Sequence, residues 1–218
     1  MKTALYPLAP SFKAQARVKL RMAAAGQVVT LAFTVAEVNL VAVADPDKAT
    51  LDEVATRYNI PAKYTDYRAL LDSKEVEAVV VTSPTGTHAE VIIAAAAAGK
   101  NIFSEKPLSQ SLEACDSAIA AVKKAGVKLQ MGFMRRFDPA YAAARQQIVD
   151  GAIGKPVMFK AVSRDPKRTS LEFAKRENSG GLILDMGVHD FDLARWLMGS
   201  EVTRVHSEGA CIAFPELK

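Results

Sequence analysis

A lysine, a carboxylate and an imidazole together can move a proton on and off an alcohol, and this sequence carries them in two separated runs. The first, Asn101-Ile-Phe-Ser-Glu105-Lys106-Pro107, reads as a strand that ends on a lysine. The second, Gly180-Gly181-Leu-Ile-Leu-Asp185-Met-Gly-Val-His189-Asp-Phe-Asp192, reads as a helix led by glycines. Four residues of helix advance ~6 Å and return to the same side, so Asp185 and His189 share a face. An imidazole with a carboxylate a turn away has the form of an oriented general base. A lysine at a strand end beside a cofactor's positive ring would have its pKa lowered into the range useful for proton work. Each group also has a plainer reading: His189 as a satisfied core residue, Lys106 as a surface cation.

The elements that must position these groups read as βα units. Continuous apolar runs at Leu40–Ala44, Ala78–Thr82, Asn101–Ser104 and Val127–Gly132 suit strands covered on both faces. Helical segments at Ala49–Tyr58, His88–Ala98 and Leu112–Ala125 alternate with them, which predicts a parallel sheet. Thr87 and Glu90 have the spacing of a capping box, and Gly99 and Gly126 stand where left-handed stops belong. Near Arg135 the alternation ends. Beyond it the pattern predicts a helix over Ala140–Asp150, a strand over Pro156–Ser163, a helix from about Gly181 to Met198 and a strand around Thr203–Phe214. In that last helix Asp192 and Trp196 continue the Asp185/His189 face, with Leu184, Val188, Phe191 and Met198 as the buried stripe. The fold class is therefore α/β: a Rossmann-like parallel sheet with helices on both faces over residues 1–134, then an incomplete α+β second domain over 135–218.

In such a sheet, ligands bind off the carboxyl ends of the strands. Asp45 ends the first strand, where a carboxylate accepts hydrogen bonds from both adenosine ribose hydroxyls and repels a 2′-phosphate. That chemistry favours NAD over NADP; the alternative is an Asp-Pro turn that only ends a strand. Thr82, Ser83 and Pro84 follow the next strand and are placed to run along the ribose and nicotinamide side. His88, in the first helical turn after them, reads as cofactor-side or structural.

Composition limits the function classes. Half of the 218 residues are hydrophobic, enough for a packed core, and 28 basic against 24 acidic residues leave a charge of only +4. There is no basic face to hold nucleic acid and no apolar run of the ~20 residues that span a bilayer. Cys115 and Cys211 stand alone, without metal or redox spacing. Lys19–Ala36 has the outline of an export signal, but the strand of the folded domain follows at once, so a cytoplasmic location is expected.

The Glu105-Lys106-Pro107 run, the Gly132-Phe-Met-Arg135-Arg136-Phe137-Asp138 turn and the Gly-Gly-x3-Asp-x-Gly-x-His-x2-Asp helix, in that order, resemble the glucose–fructose oxidoreductase / myo-inositol dehydrogenase (Gfo/Idh/MocA) family. The likeness runs from about Leu31 to the C-terminus, and the Arg-Arg-Phe-Asp-Pro form most resembles inositol dehydrogenases. What the resemblance implies is hydride transfer between a cyclic polyol or sugar and a nicotinamide. Lys106 polarises the hydroxyl oxygen, His189 takes its proton and Asp185 orients them; Arg136 joins Asp185 and His189 on the substrate, while Glu105 and Lys106 join Asp45 and the Thr82–His88 turn on the cofactor. It also implies a homo-oligomer and no metal.

One part of the family pattern is missing. Members open with Gly-x-Gly-x-x-Gly, whose backbone amides hold the pyrophosphate. Here the matching stretch, Arg17 to Leu31, has the single glycine Gly26 and carries Lys19 and Arg21. Alanine resists positive φ and its methyl bars close approach to phosphate. No acidic residue precedes Glu37. A degenerate, non-catalytic or ligand-sensing relative is the competing expectation.

Overall fold

The computed structural model describes residues 39–164 and 169–210 of the chain. The glycine-poor stretch and the export-like segment lie outside the described residues. The chain divides between Gly132 and Phe133 into two compact units.

Among the described residues, the first unit has five short strands. β1 (Ala42–Ala44) pairs in parallel with β2 (Ala62–Tyr64), and β3 (Ala78–Val81), β4 (Asn101–Ser104) and β5 (Leu129–Met131) form a second parallel set in that order. Their registers place Ala44 beside Tyr64, Val81 beside Ser104 and Ser104 beside Met131, so strand ends line up. Between them run α1 (Lys48–Arg57), α2 (Tyr67–Leu71), α3 (His88–Ala97) and α4 (Leu112–Ala125).

Alternation along β1 shows why its residues are apolar on both sides. Ala42 and Ala44 enter the main core with Leu70, Val79, Val81, Ile92 and Ile102, all buried. Val43, between them, faces Leu51, Val54, Ala55 and Ile60 on the other side. A strand sandwiched this way needs a continuous apolar run. The alanines of α3 (Ala89, Ala95 and Ala96 among the buried ones) let that helix lie close against the sheet.

Helix ends follow local rules where nothing competes. Asp47 accepts from the Thr50 amide at the start of α1, and Ser111 accepts from the Ala114 amide at the start of α4. Gly99 and Gly126 take positive φ as left-handed stops. The capping box expected at Thr87 and Glu90 does not form. Thr87's hydroxyl instead bonds the Pro84 carbonyl and the Ser83 hydroxyl, and Glu90 is taken by Tyr67 and Arg68 of α2. A local turn takes Thr87 and a tertiary pair takes Glu90, so the cap does not close.

The second unit is helical. A 3₁₀ turn (Met134–Phe137) leads into α5 (Pro139–Val149), and α6 (Leu171–Ala174) and α7 (Arg176–Ser179) follow. A π turn (Ile183–Gly187) runs directly into α8 (Val188–Met198), which Gly199 closes at φ +63. The strands expected over Pro156–Ser163 and from Thr203 are not formed among the described residues. Val157, Met158, Val162 and Val205 have the apolar composition of strands but are mostly exposed. No described strand lies alongside to take their backbone hydrogen bonds, and without a partner an extended segment is not a sheet. The buried stripe of α8 is also rotated from expectation: His189, Asp192, Leu193 and Leu197 are buried, whereas Phe191 is 54% exposed.

Ile92, fully buried in the main core, gives a direct check on this packing. Ile92→Ala is expected to cost about 2–5 kcal/mol in urea unfolding followed by circular dichroism. A loss well under 1 kcal/mol would mean that the core is not closed around α3.

Candidate functional site

The carboxyl ends of the parallel strands gather the candidate residues of the first unit. Asp45 directly follows β1, and its amide still reaches the Tyr64 carbonyl at 3.1 Å, so the β1–β2 ladder runs one residue further. The Asp45 side chain is buried at 2% exposure. Its Oδ1 accepts the Asp47 amide at 2.8 Å, while Oδ2 has no hydrogen-bond partner among the described residues. A buried acceptor of this kind suits a hydroxyl donor. Burial pushes the Asp45 carboxyl up from its ordinary value; the Asp47 amide opposes this and the Asp47 charge adds to it.

β3 and β4 end side by side. The Glu105 amide donates to the Val81 carbonyl at 2.9 Å, and the Gly132 amide donates to the Ser104 carbonyl at 2.7 Å. Glu105 and Lys106 are thereby fixed by the sheet rather than by a free loop. A cis peptide bond joins Lys106 to Pro107. Glu105 folds back so that Oε2 accepts the Lys106 amide at 3.3 Å. Burial raises the Glu105 pKa, offset in part by the Lys106 amide and by the Lys106 and His88 charges. Gly132 packs tightly here: a Cβ on it would meet Glu105 Oε2 at 3.2 Å and the Ser104 carbonyl at 3.3 Å, so Glu105 would have to shift by a few tenths of an ångström to admit one. The sequence motif contains Gly132, but nothing in its spacing announced that contact.

The Thr82-Ser83-Pro84 turn stands next to this corner, and His88 joins the two. His88 is 2% exposed; its Nδ1 lies 2.7 Å from the Pro107 carbonyl and its Nε2 2.8 Å from the Ser83 carbonyl. Both ring nitrogens are committed to protein backbone, so His88 acts on the site through the turns it touches. Ser83, His88, Glu105 and Lys106 thus form one corner, with Asp45 at the end of the other parallel pair.

In the second unit, Asp185 lies in the π turn and His189 in the first turn of α8. The wider turn arises after Gly180 and Gly181, both at positive φ (+78 and +79). At Gly180 an added Cβ would stand 2.6 Å from Leu184 Cδ1, so only glycine allows the chain to enter there. π turns inside helices recur at functional sites because they re-aim side chains. His189 is buried at 9% exposure, and Asp185 is half-buried.

Arg136 has a specific partner that sequence reasoning missed. Its Nε and Nη2 bond the two carboxylate oxygens of Asp192 at 2.8 and 2.6 Å, and its guanidinium stands 5.8 Å from the Trp196 ring centroid. Arg135 pairs with Asp190, which also accepts from Ser163. Two consecutive arginines therefore meet two acids spaced two apart on α8. The Arg-Arg and Asp-x-Asp runs were visible in the sequence, but their pairing depends on a fold that brings the 3₁₀ turn against the helix. Bidentate arginine–carboxylate pairs carry both direction and strength, so Arg136 holds α8 in place besides any contact it makes with substrate.

Comparison with known proteins agrees with this layout. Residues 9–133 match the oxidoreductase family with an NAD-binding Rossmann fold, GFO/IDH/MocA, and residues 141–216 match the GFO/IDH/MocA C-terminal domain. The protein belongs to the GFO/IDH/MocA oxidoreductase family. The match begins at residue 9, ahead of Leu31, so it includes the glycine-poor stretch. Among curated proteins, the chain is 43% identical over 185 residues to scyllo-inositol 2-dehydrogenase (NAD(+)) of Bacillus subtilis, covering 85% of this chain and 54% of that one. Among solved structures, a probable dehydrogenase from Thermotoga maritima superposes with a TM-score of 0.87 at 36% identity, over 92% of this chain and 61% of that one. Scyllo-inositol dehydrogenase from Lactobacillus casei, solved with bound NAD(H) and scyllo-inositol, superposes at 0.76 with 28% identity, over 92% of this chain and 62% of that one. The chain spans about half the length of the curated relatives it matches.

The Asp45 environment has a measurable pH signature. A carboxyl whose folded pKa lies above its ordinary value of 3.8 contributes stability below that value, and this is lost as pH rises through the raised one. Asp45→Asn does not ionise, so its thermal midpoint minus that of the wild type is expected to grow from pH 3 towards neutrality. A difference that stays flat or shrinks would show that burial does not act on this carboxyl as described.

Proposed function

We propose that the protein is an NAD-dependent oxidoreductase that transfers a hydride between a ring hydroxyl of an inositol-like cyclic polyol and the nicotinamide. The observation that carries this reading is the rim arrangement: a buried carboxylate with an open acceptor at the end of β1, and a lysine fixed by the sheet at the end of β4. Its support from outside the chain is identity to an enzyme described as an NAD⁺-dependent scyllo-inositol dehydrogenase.

Asp45 fits the cofactor by its chemistry. Two ribose hydroxyls supply the donors that its buried Oδ2 has room for, and a 2′-phosphate would meet like charge. The nicotinamide, when bound, takes up the hydride. In this reading the chain's own side chains manage the proton. His189 accepts the hydroxyl proton, and Asp185 in the adjoining π turn orients the imidazole and favours its charged form. Lys106 stabilises the alkoxide character that develops on oxygen. Glu105 and the turn at Thr82, Ser83 and Pro84 shape the wall of the crevice, and Arg136 steadies α8 on the substrate side. The two isolated cysteines suit a cytoplasmic location, and the family resemblance supports self-association.

A second reading is motivated by the glycine-poor stretch Arg17–Leu31: a non-catalytic or ligand-sensing relative that keeps the sheet and has lost cofactor binding. One set of assays separates the two. Trp196 is the sole tryptophan and its ring lies under Arg136, so its fluorescence reports on ligand binding. With NAD⁺ and myo- or scyllo-inositol, the enzyme reading expects NADH to form, with kcat about 10²–10⁴-fold lower for His189→Ala and Lys106→Ala. Asp45→Ala should raise the KM for NAD⁺ more than it lowers kcat. Absence of both Trp196 quenching by NAD⁺ and NADH formation on any polyol would favour the non-catalytic relative, and tight NAD⁺ binding would exclude it.

A further inference from the structure

We infer that His88 is a positioning residue for Lys106, acting as a two-point clasp between the turn after β3 and the turn after β4. The inference deepens the reading of Lys106 given above and rests on it.

The argument begins with what each ring nitrogen meets. Nδ1 lies 2.7 Å from the Pro107 carbonyl and Nε2 lies 2.8 Å from the Ser83 carbonyl. Carbonyl oxygens only accept, so each contact needs an N–H on the ring, and forming both together needs the doubly protonated imidazole. The ring is 2% exposed, so water does not substitute for either carbonyl. The charged groups that face it are on the neighbouring corner: the Glu105 carboxylate interacts electrostatically with both His88 and Lys106.

Geometry then says what the clasp controls. Lys106 stands between two fixed points, the Glu105 amide bonded to Val81 and the Pro107 carbonyl bonded to His88. The other carbonyl belongs to Ser83, whose turn is held by Thr87 through the Ser83 hydroxyl and the Pro84 carbonyl. His88 opens α3, which is packed into the main core by Val91, Ile92, Ala95 and Ala96. The clasp therefore refers the Lys106 backbone to the most buried helix of the unit. Loss of the ring N–H groups would take the His88 partner from a buried carbonyl, Pro107, and a part-buried one, Ser83, and release the Lys106–Pro107 segment from its neighbour turn.

The test uses the intact chain with two variants and three readouts. His88→Phe keeps a ring of similar size with no N–H, and His88→Gln keeps an amide that can donate to one carbonyl or both. In ¹⁵N spectra of the wild type, both His88 ring nitrogens are expected to show the protonated signature. In hydrogen exchange, His88→Phe is expected to speed the 104–110 segment about tenfold while β3 and β4 stay protected, with His88→Gln between it and the wild type. If the wild type turns over polyol, His88→Phe should lower kcat about tenfold with little change in the KM for NAD⁺.

Three results would overturn the inference: a bare lone-pair signature on either ring nitrogen, unchanged exchange at 104–110 in His88→Phe, or a change confined to the KM for NAD⁺. A space-filling histidine predicts the second of these. Absence of turnover in the wild type would sink the dehydrogenase reading and leave the spectral and exchange tests of the clasp intact.

Discussion

Parallel pairing constrains everything else in the first unit. Each βα crossover returns the chain to the same starting edge, so every strand delivers its last residues to one rim. In this protein that rim receives Asp45 after β1, Thr82 to Pro84 after β3, and Glu105 and Lys106 after β4. The Thr82–Pro84 turn lies well apart in sequence from Glu105 and Lys106, yet the registers of β3, β4 and β5 fix them with the precision of backbone hydrogen bonds, as the β1–β2 register fixes Asp45. The rim is rigid because its strands are buried on both faces, as the split of Ala42, Ala44 and Val43 between two apolar clusters shows. Side chains at such an edge can be polar and partly desolvated at little cost to the core, since the sheet below supplies the stability. The raised carboxyls of Asp45 and Glu105 are the electrostatic mark of that position.

The second unit reaches its candidate residues by a different route. Gly180 and Gly181 turn the chain through positive φ, the π turn widens the helix at Asp185, and α8 then carries His189. Two ion pairs brace that helix, Arg135 with Asp190 and Arg136 with Asp192. Asp192 is the more deeply buried, and its two bonds to one planar guanidinium set a direction as well as a distance. These pairs explain why charged residues occupy a helix face that apolar periodicity alone would leave unassigned.

How much was legible beforehand depended on whether the controlling interaction was local. α4 was readable over Leu112–Ala125 because Ser111 and Gly126 supply both caps from within the segment. β4 was readable over Asn101–Ser104 because Ile102 and Phe103 fall between the helix stop at Gly99 and the Glu105-Lys106-Pro107 run. β2 escaped notice: Ala62-Lys63-Tyr64 is three residues with no pattern of its own and exists through its register with β1. The Thr87/Glu90 box failed because Thr87 is taken by the preceding Ser83–Pro84 turn and Glu90 by Tyr67 and Arg68 far along the chain. Val157, Met158 and Val205 carried strand composition without a described strand to complete it. Of the candidate site, the residue types at the strand ends and on the late helix were visible in advance. The engagement of both His88 nitrogens, the Gly132 contact with Glu105 and the Asp192 partner of Arg136 were not, because each depends on contacts between separate elements that no local pattern signals.

The central claim is that these side chains serve hydride transfer from a polyol carbon to a nicotinamide. Its most direct test follows the hydrogen itself. The protein is incubated with NAD⁺ and inositol carrying deuterium on its ring carbons, and the recovered nicotinamide cofactor is examined by mass spectrometry. The account predicts reduced cofactor that carries one deuterium, with the label lost in His189→Ala. Cofactor that is bound yet recovered oxidised and unlabelled from the wild type would contradict it.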